Sequence, residues 1–192
     1  MKMQARKDAN YDYSKSFAEQ IDDYIKGNFP QRDTFILGGT SEFYQKLRFN
    51  ALPMTINKTH VDYALYNTKD ANHFLGEALL KQVPEKINDA IAVFVSQTHP
   101  NTSVVSLIKM KVNGNDVITP VFIDGIGKQN GVEIDANAVK TAHGRDNAIK
   151  KLLYDAIIHE SNGKVSLFYI NKKEALSLLH RGRAASARDV DT

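Results

Sequence analysis

The chain has 192 residues, enough for one well-cored domain with room for a helical appendage. A net charge of +3 suits a polyanionic partner without demanding one, and the absence of cysteine excludes disulfides and thiolate metal sites. No apolar run approaches the ~20 residues of a membrane span, and the polar opening MKMQARKDANYDYSK is no secretory signal, so the sequence reads as soluble and cytoplasmic.

Residues 1–10 are polar and read as frayed. From Tyr11 to Ile25, apolar residues at helical spacing predict a helix that Gly27 and Pro30 stop. Residues 1–33 are taken as an N-terminal helical extension. A short strand at Thr34–Leu37 ends at Gly38-Gly39. Thr40 or Ser41 then caps a short helix carrying Phe43, Tyr44 and Leu47. Leu52–Ile56 is extended around Pro53, and Thr59 is the expected N-cap of the next helix, VDYALYN. Further helical pieces are expected at Phe74–Leu80 and Glu85–Asn88.

From Ala90 the apolar period becomes two. Ala90–Ser96, Thr102–Val112 and Val117–Asp124 read as successive strands, the last two joined by an Asn113-Gly114-Asn115 hairpin turn. The stretch DGIGKQNG reads as a glycine-rich loop before Val132-Glu133-Ile134. A helix is expected from Asp146 to Ile158, a strand at Val165–Ile170, and a last helix at Lys172–Leu179 capped by Asn171. Residues 182–192 read as a flexible tail. The expected fold class is α+β: N-terminal helices, then a mostly antiparallel sheet of four or five strands with a helix packed on one face.

Polar chemistry concentrates in NGVEIDANAVKTAHGRDN, which carries Lys140, Thr141, His143, Gly144, Arg145 and Asn147 ahead of the expected helix. His143 and Arg145 share a face if extended, and free N–H groups of the following helix would favour an anion beside them. A solvated helix-capping loop is the plainer alternative, and by composition the commoner one. His60, with Lys58 close by, is the best remote partner, because an imidazole exchanges protons near neutral pH. His73, His99, His159 and His180 have less support. No metal, dinucleotide or P-loop motif is present, so no cofactor is expected. Two imidazoles with Arg145 and Thr141 suit metal-independent cleavage of RNA by its own 2′-hydroxyl, with His60, Thr141, His143 and Arg145 as the catalytic set.

Several blocks resemble the phage MuF C-terminal domain family: Leu52-Pro53-Met54 with His60, Leu80 with Pro84-Glu85, Asp89–Phe94, Val117–Val121, NGVEIDANAVKTAHGRDN and Leu167–Ile170. The similarity spans about Phe35 to Leu179, so residues 34–181 are expected to form the domain. The family is grouped with barnase–EndoU–colicin–RelE-like nucleases and occurs in phage head-morphogenesis, polyvalent and polymorphic-toxin proteins. The resemblance implies an endoribonuclease toxin of phage or mobile-element origin, delivered into a target cell or carried in a phage particle. RNA, tRNA included, would be its substrate and an immunity protein its partner. The family pattern adds Asn137 to Thr141, His143, Gly144, Arg145 and Asn147. Serine is frequent at the position of Thr141 and an aromatic residue at that of His143. Lys58, Asn137, Lys140 and Asn147 are the expected substrate-binding residues. The alternative is a non-catalytic module of phage head proteins that binds nucleic acid or protein.

Overall fold

Ser16 sets the first helix. Its hydroxyl accepts the N–H of Glu19 and the Glu19 carboxylate accepts the N–H of Ser16, a reciprocal cap that starts α1 at Phe17–Ile25. The helix therefore begins later than its periodicity from Tyr11 predicts. Tyr11 and Tyr13 instead pack their rings edge-on against Phe29. In the computed structural model residues 11–96, 98–145, 153–154 and 167–186 are described.

The chain continues as β1 (Phe35–Gly39), α2 (Glu42–Lys46), β2 (Pro53–Ile56) and α3 (Lys58–Tyr66). Asn57, not Thr59, caps α3: its side chain accepts the His60 N–H at 3.0 Å. Asn67, at φ 51, ends this helix in the left-handed conformation that asparagine tolerates. Short helices α4 (Gly76–Leu80) and α5 (Val83–Ile87) lead to β3 (Ala90–Val95), β4 (Ser103–Val112), β5 (Asn115–Gln129), β6 (Val132–Val139) and β7 (His143–Arg145). Strand β8 (Leu167–Ile170) and helix α6 (Lys172–Ser186) close the described chain.

The architecture is α+β with a mostly antiparallel sheet, but among the described residues the sheet has eight strands rather than four or five. Its order is β1-β2-β6-β5-β4-β3-β8, with β7 paired to β5. The predicted glycine-rich loop is strand instead: β5 runs on through Gly125 and Gly127 to a second hairpin turn at Asn130-Gly131, both at positive φ. Glycine is needed there because a Cβ on Gly127 would lie 2.9 Å from Thr55 Cγ2 and 3.1 Å from Thr34 Oγ1. The predicted Asn113-Gly114 turn also has both residues at positive φ.

Most neighbouring strands are antiparallel, but β2 and β6 are parallel, with Met54, Thr55 and Ile56 opposite Asn137, Ala138 and Val139. Strands β6 and β7 follow one another along β5, interrupted at Lys140–Ala142. Pro120 explains the break. Its carbonyl accepts the Lys140 N–H at 3.0 Å, so its missing N–H faces the same neighbour. Between Val139 and His143 the chain also carries one residue more than β5 does between Ile118 and Val121, a bulge that re-aims the strand.

Two cores flank the sheet. The larger gathers Phe17, Ile21, Phe35, Tyr44, Val61 and Val83 with inward residues of the strands. The smaller holds Ile91, Phe94, Leu107, Ile118, Leu153 and Ala175. Apolar packing therefore covers both faces of the central strands, where one covered face was expected. Gln20 ties α1 to β1, its amide donating to Ile36 O and accepting from Ile36 N. The expected helix at 146–158 lies outside the described residues apart from Leu153 and Tyr154, which are helical. Helix α6 runs past Leu179 to Ser186, since Arg181, Arg183, Ala184 and Ala185 are strong helix formers. No described helix is long and apolar enough to cross a membrane.

Candidate functional site

The parallel pair assembles the site. Ile56 ends β2 and Val139 ends β6, and they are register partners, so the segments that follow leave the sheet at the same end. After Ile56 comes Asn57 and the first turn of α3, with His60. After Val139 come Lys140, Thr141, Ala142 and His143.

A third histidine joins them from the α3–α4 connection. The ring of His73 stacks on that of His143, with centroids 4.6 Å apart and planes 17° apart. Tyr63 on α3 stands edge-on to both His60 and His73, at 5.9 Å and 6.3 Å. The connection is pinned by main-chain contacts. Gly144 N–H donates to Asn72 O at 2.8 Å, and Asn113 Nδ2 donates to Ala71 O at 2.8 Å. Gly144 fits because it lacks a side chain, since a Cβ there would lie 2.5 Å from Val112 Cγ1.

Within the connection, Asp70 organises a tight turn. Its carboxylate accepts the N–H groups of Asn72 and His73, and lies 2.8 Å from His73 Nδ1. The His73 contact, first among its causes, holds the Asp70 carboxyl below its usual range. Lys69 Nζ lies 3.1 Å from His73 Nε2 and over the Tyr63 ring.

His60 and His143 differ from His73. The Nδ1 atom of each is buried with no hydrogen-bond partner among the described residues. Burial is the main cause that lowers His60 to about 4, reinforced by the charges of Lys140, Lys69 and His73. Burial likewise lowers His143 to about 4, with His73, Lys69 and Arg145 adding to it and Asp70 opposing. Both imidazoles are therefore neutral near pH 7. These mutual influences place Lys69, Lys140 and His73 around His60, and Lys69, His73 and Arg145 around His143. Among the described residues no group of three His, Asp or Glu side chains is arranged to hold a metal ion.

Thr141 is half-buried between Lys140 and Ala142, while Arg145 is exposed at the end of β7. Lys140 Nζ also lies over the Phe122 ring. Lys58 points elsewhere: its ammonium pairs with Asp62 at 2.7 Å and lies over Tyr24, about 200° around the helix from His60. Asn137 is fully buried and structural. Its amide donates to Thr40 Oγ1 and Asn50 O and accepts the Asp124 N–H, leaving it closed to a substrate. Asn147 lies outside the described residues. His73 is ranked low by the sequence, and Asp70, Lys69 and Tyr63 are not singled out by it. The Lys-Asp-x-x-His spacing is the signal for Lys69, Asp70 and His73, because an Asx turn folds an aspartate back onto a histidine three residues on.

Residues 64–177 match the family model described as Phage MuF-C-terminal domain. The matched span includes Lys69, Asp70, His73, Lys140, His143 and Arg145, and begins just after His60. Neither the curated proteins nor the solved structures contain a match to the chain. With more than half of its residues in that span, the chain belongs to the phage MuF C-terminal domain family.

Proposed function

We propose that this domain is a metal-independent endoribonuclease, a toxin effector of phage or mobile-element origin that cleaves RNA through its 2′-hydroxyl. The observation carrying this reading is the pair of buried ring nitrogens on His60 and His143, without a partner among the described residues and set among Lys69, Lys140 and Arg145. A general base must be unprotonated when substrate arrives, and burial with nearby cations keeps His60 so at neutral pH. His60 accepts the 2′-OH proton, and one of the stacked rings, His73 or His143, protonates the departing 5′ oxygen. Lys69, Lys140 and Arg145 offset the charge that grows on the phosphate oxygens, and the Thr141 hydroxyl donates to one of them. Asn147 follows this corner in sequence and is assigned to the substrate on that ground alone.

RNA, with tRNA among the candidates, is the substrate in this reading, and an immunity protein protects the producing cell. The test is incubation of total RNA with the protein in excess EDTA, beside the His60→Ala variant. Cleavage by the wild type and its loss in the variant support the reading. Binding of RNA without cleavage would replace it with the non-catalytic nucleic-acid-binding module.

A further inference from the structure

We infer that His73, held by Asp70 and stacked on His143, is the proton donor to the departing 5′ oxygen, with Lys69 occupying its Nε2 until a phosphate draws that ammonium away. This rests on the ribonuclease reading and assigns a role within it.

The three imidazoles of the corner differ in what they touch. His60 and His143 each have a buried Nδ1 with no partner among the described residues. Both nitrogens of His73 are engaged, Nδ1 at 2.8 Å from Asp70 and Nε2 at 3.1 Å from Lys69. An ammonium has only donors, so Nε2 accepts from Lys69 and Nδ1 carries the hydrogen directed at Asp70. Asp70 is fixed by two main-chain N–H groups and remains ionised, so it holds the ring in one orientation. An aspartate on Nδ1 of a histidine whose Nε2 does the chemistry both orients the ring and stabilises its imidazolium.

Lys69 is exposed and on a flexible stem, so it can follow a ligand. When a phosphodiester enters among Lys69, Lys140 and Arg145, the ammonium pairs with a phosphate oxygen and frees His73 Nε2. That nitrogen then takes a proton from solvent, with Asp70 balancing the positive ring. The charged and titratable groups facing His73 are Lys69 and Asp70 from its own connection, His60 and Tyr63 from α3, and His143 from β7, with Arg145 just beyond. Positive charge on His73 counts against charging His60 or His143 as well, so the acceptor stays neutral while the donor is loaded. A carboxylate on Nδ1 of His73, against none found on Nδ1 of His60 among the described residues, divides acid from base. His143 serves as the ring against which His73 is stacked.

The step balances. The 2′-OH proton passes to His60, the 2′ oxygen forms a bond to phosphorus, and the P–O5′ bond breaks with its electron pair on the 5′ oxygen. That oxygen takes the Nε2 proton of His73. The products are a 2′,3′-cyclic phosphate and a free 5′-hydroxyl, and solvent exchange returns a proton to His73 and removes one from His60.

The experiment compares two substrates of the full chain. One is the dinucleotide uridylyl-3′,5′-adenosine, and the other is uridine 3′-(4-nitrophenyl phosphate), whose leaving phenolate needs no proton. His73→Ala is expected to slow the dinucleotide by about 100-fold or more and the aryl ester by less than about tenfold. His60→Ala slows both. Asp70→Asn, at an exposed position, shows the same split with a smaller loss, and His73→Gln stands in if the alanine variant does not fold. Equal losses on the two substrates, or none on either, would overturn the assignment of His73 while leaving the ribonuclease reading in place. A wild-type protein inactive on both substrates and on total RNA would remove that reading and this assignment together.

Discussion

Ile56 and Val139 face each other at the ends of the parallel strands β2 and β6, and each is followed four residues later by a histidine of the site. Parallel neighbours run in the same direction, so their C-terminal ends lie together and deliver His60 and His143 to one corner of the sheet. A one-residue slip would turn the inward faces of both strands outward, so the buried Met54 and Val139 keep the register. The sheet thus positions both imidazoles, and the Asp70 turn supplies the third.

The protonation of His60 and His143 is directly measurable. His60 and His143, lowered to about 4 in the folded protein, titrate at ~6.5 when unfolded. Between those values the unfolded chain binds more protons, so stability is full above pH ~6.5 and falls as the pH drops toward 4. The loss is on the order of 1–3 kcal/mol for each ring. NMR titration of the imidazole protons should give two midpoints below pH 5, and urea midpoints should fall across the same window. Midpoints near 6.5 for both rings would contradict the burial argument.

Gly144→Ala should disturb the corner through packing alone. The added Cβ meets Val112 Cγ1 at 2.5 Å and Val112 O at 3.3 Å, so β7 must shift and strain its hydrogen bond to Asn72. A loss of about 1–3 kcal/mol in urea denaturation is expected. Weaker cross-peaks between the His73 and His143 rings should accompany it. Wild-type stability with unchanged ring contacts would show that the close approach is not needed.

Asn137→Ala separates fold from site. The buried amide bridges Thr40, Asn50 and Asp124, so its removal leaves partners unsatisfied and should cost about 2–4 kcal/mol in a thermal or urea melt. RNA cleavage per folded molecule should persist. A stable variant with abolished cleavage would return Asn137 to the substrate.

The sequence disclosed the elements better than their neighbours. The period-two runs marked β3, β4 and the start of β5, and Asn113-Gly114 marked their hairpin, because those signals are local. The Asn130-Gly131 turn carried the same signal, but the glycines before it read as a loop. Only the approach of Thr34 and Thr55 to Gly127 makes sense of glycine inside a strand there. The parallel pairing of β2 with β6 joins segments some eighty residues apart and has no local signature. His60 and His143 stand out by residue type and neighbours, whereas His73 carries less support in the sequence because its stack on His143 joins segments some seventy residues apart. The burial of Asn137 has no local signature, since nothing in a sequence separates a buried amide from one that meets a ligand.

Charge contacts can be sorted by salt dependence. Lys69→Ala and Lys140→Ala should each flatten the dependence of RNA affinity on salt by about 0.7 in the log–log slope, the value for one contact on a single strand. Lys140→Ala should also raise the His60 midpoint. Lys58→Ala is the control, since its ammonium is engaged by Asp62 on another face of α3. Filter-binding or fluorescence titrations from low to moderate salt would read these slopes. An effect of Lys58→Ala equal to that of Lys140→Ala would contradict the placement of the phosphate.

The chemistry at the His60–His143 corner is tested most directly by the ends left on a defined RNA cut in excess EDTA. Expected are 2′,3′-cyclic phosphate and 5′-hydroxyl termini, no cut where the attacking ribose is 2′-deoxy, and no cut by His60→Ala. Cleavage that survives 2′-deoxy substitution, or an intact RNA after prolonged incubation with the wild-type protein, would contradict that chemistry.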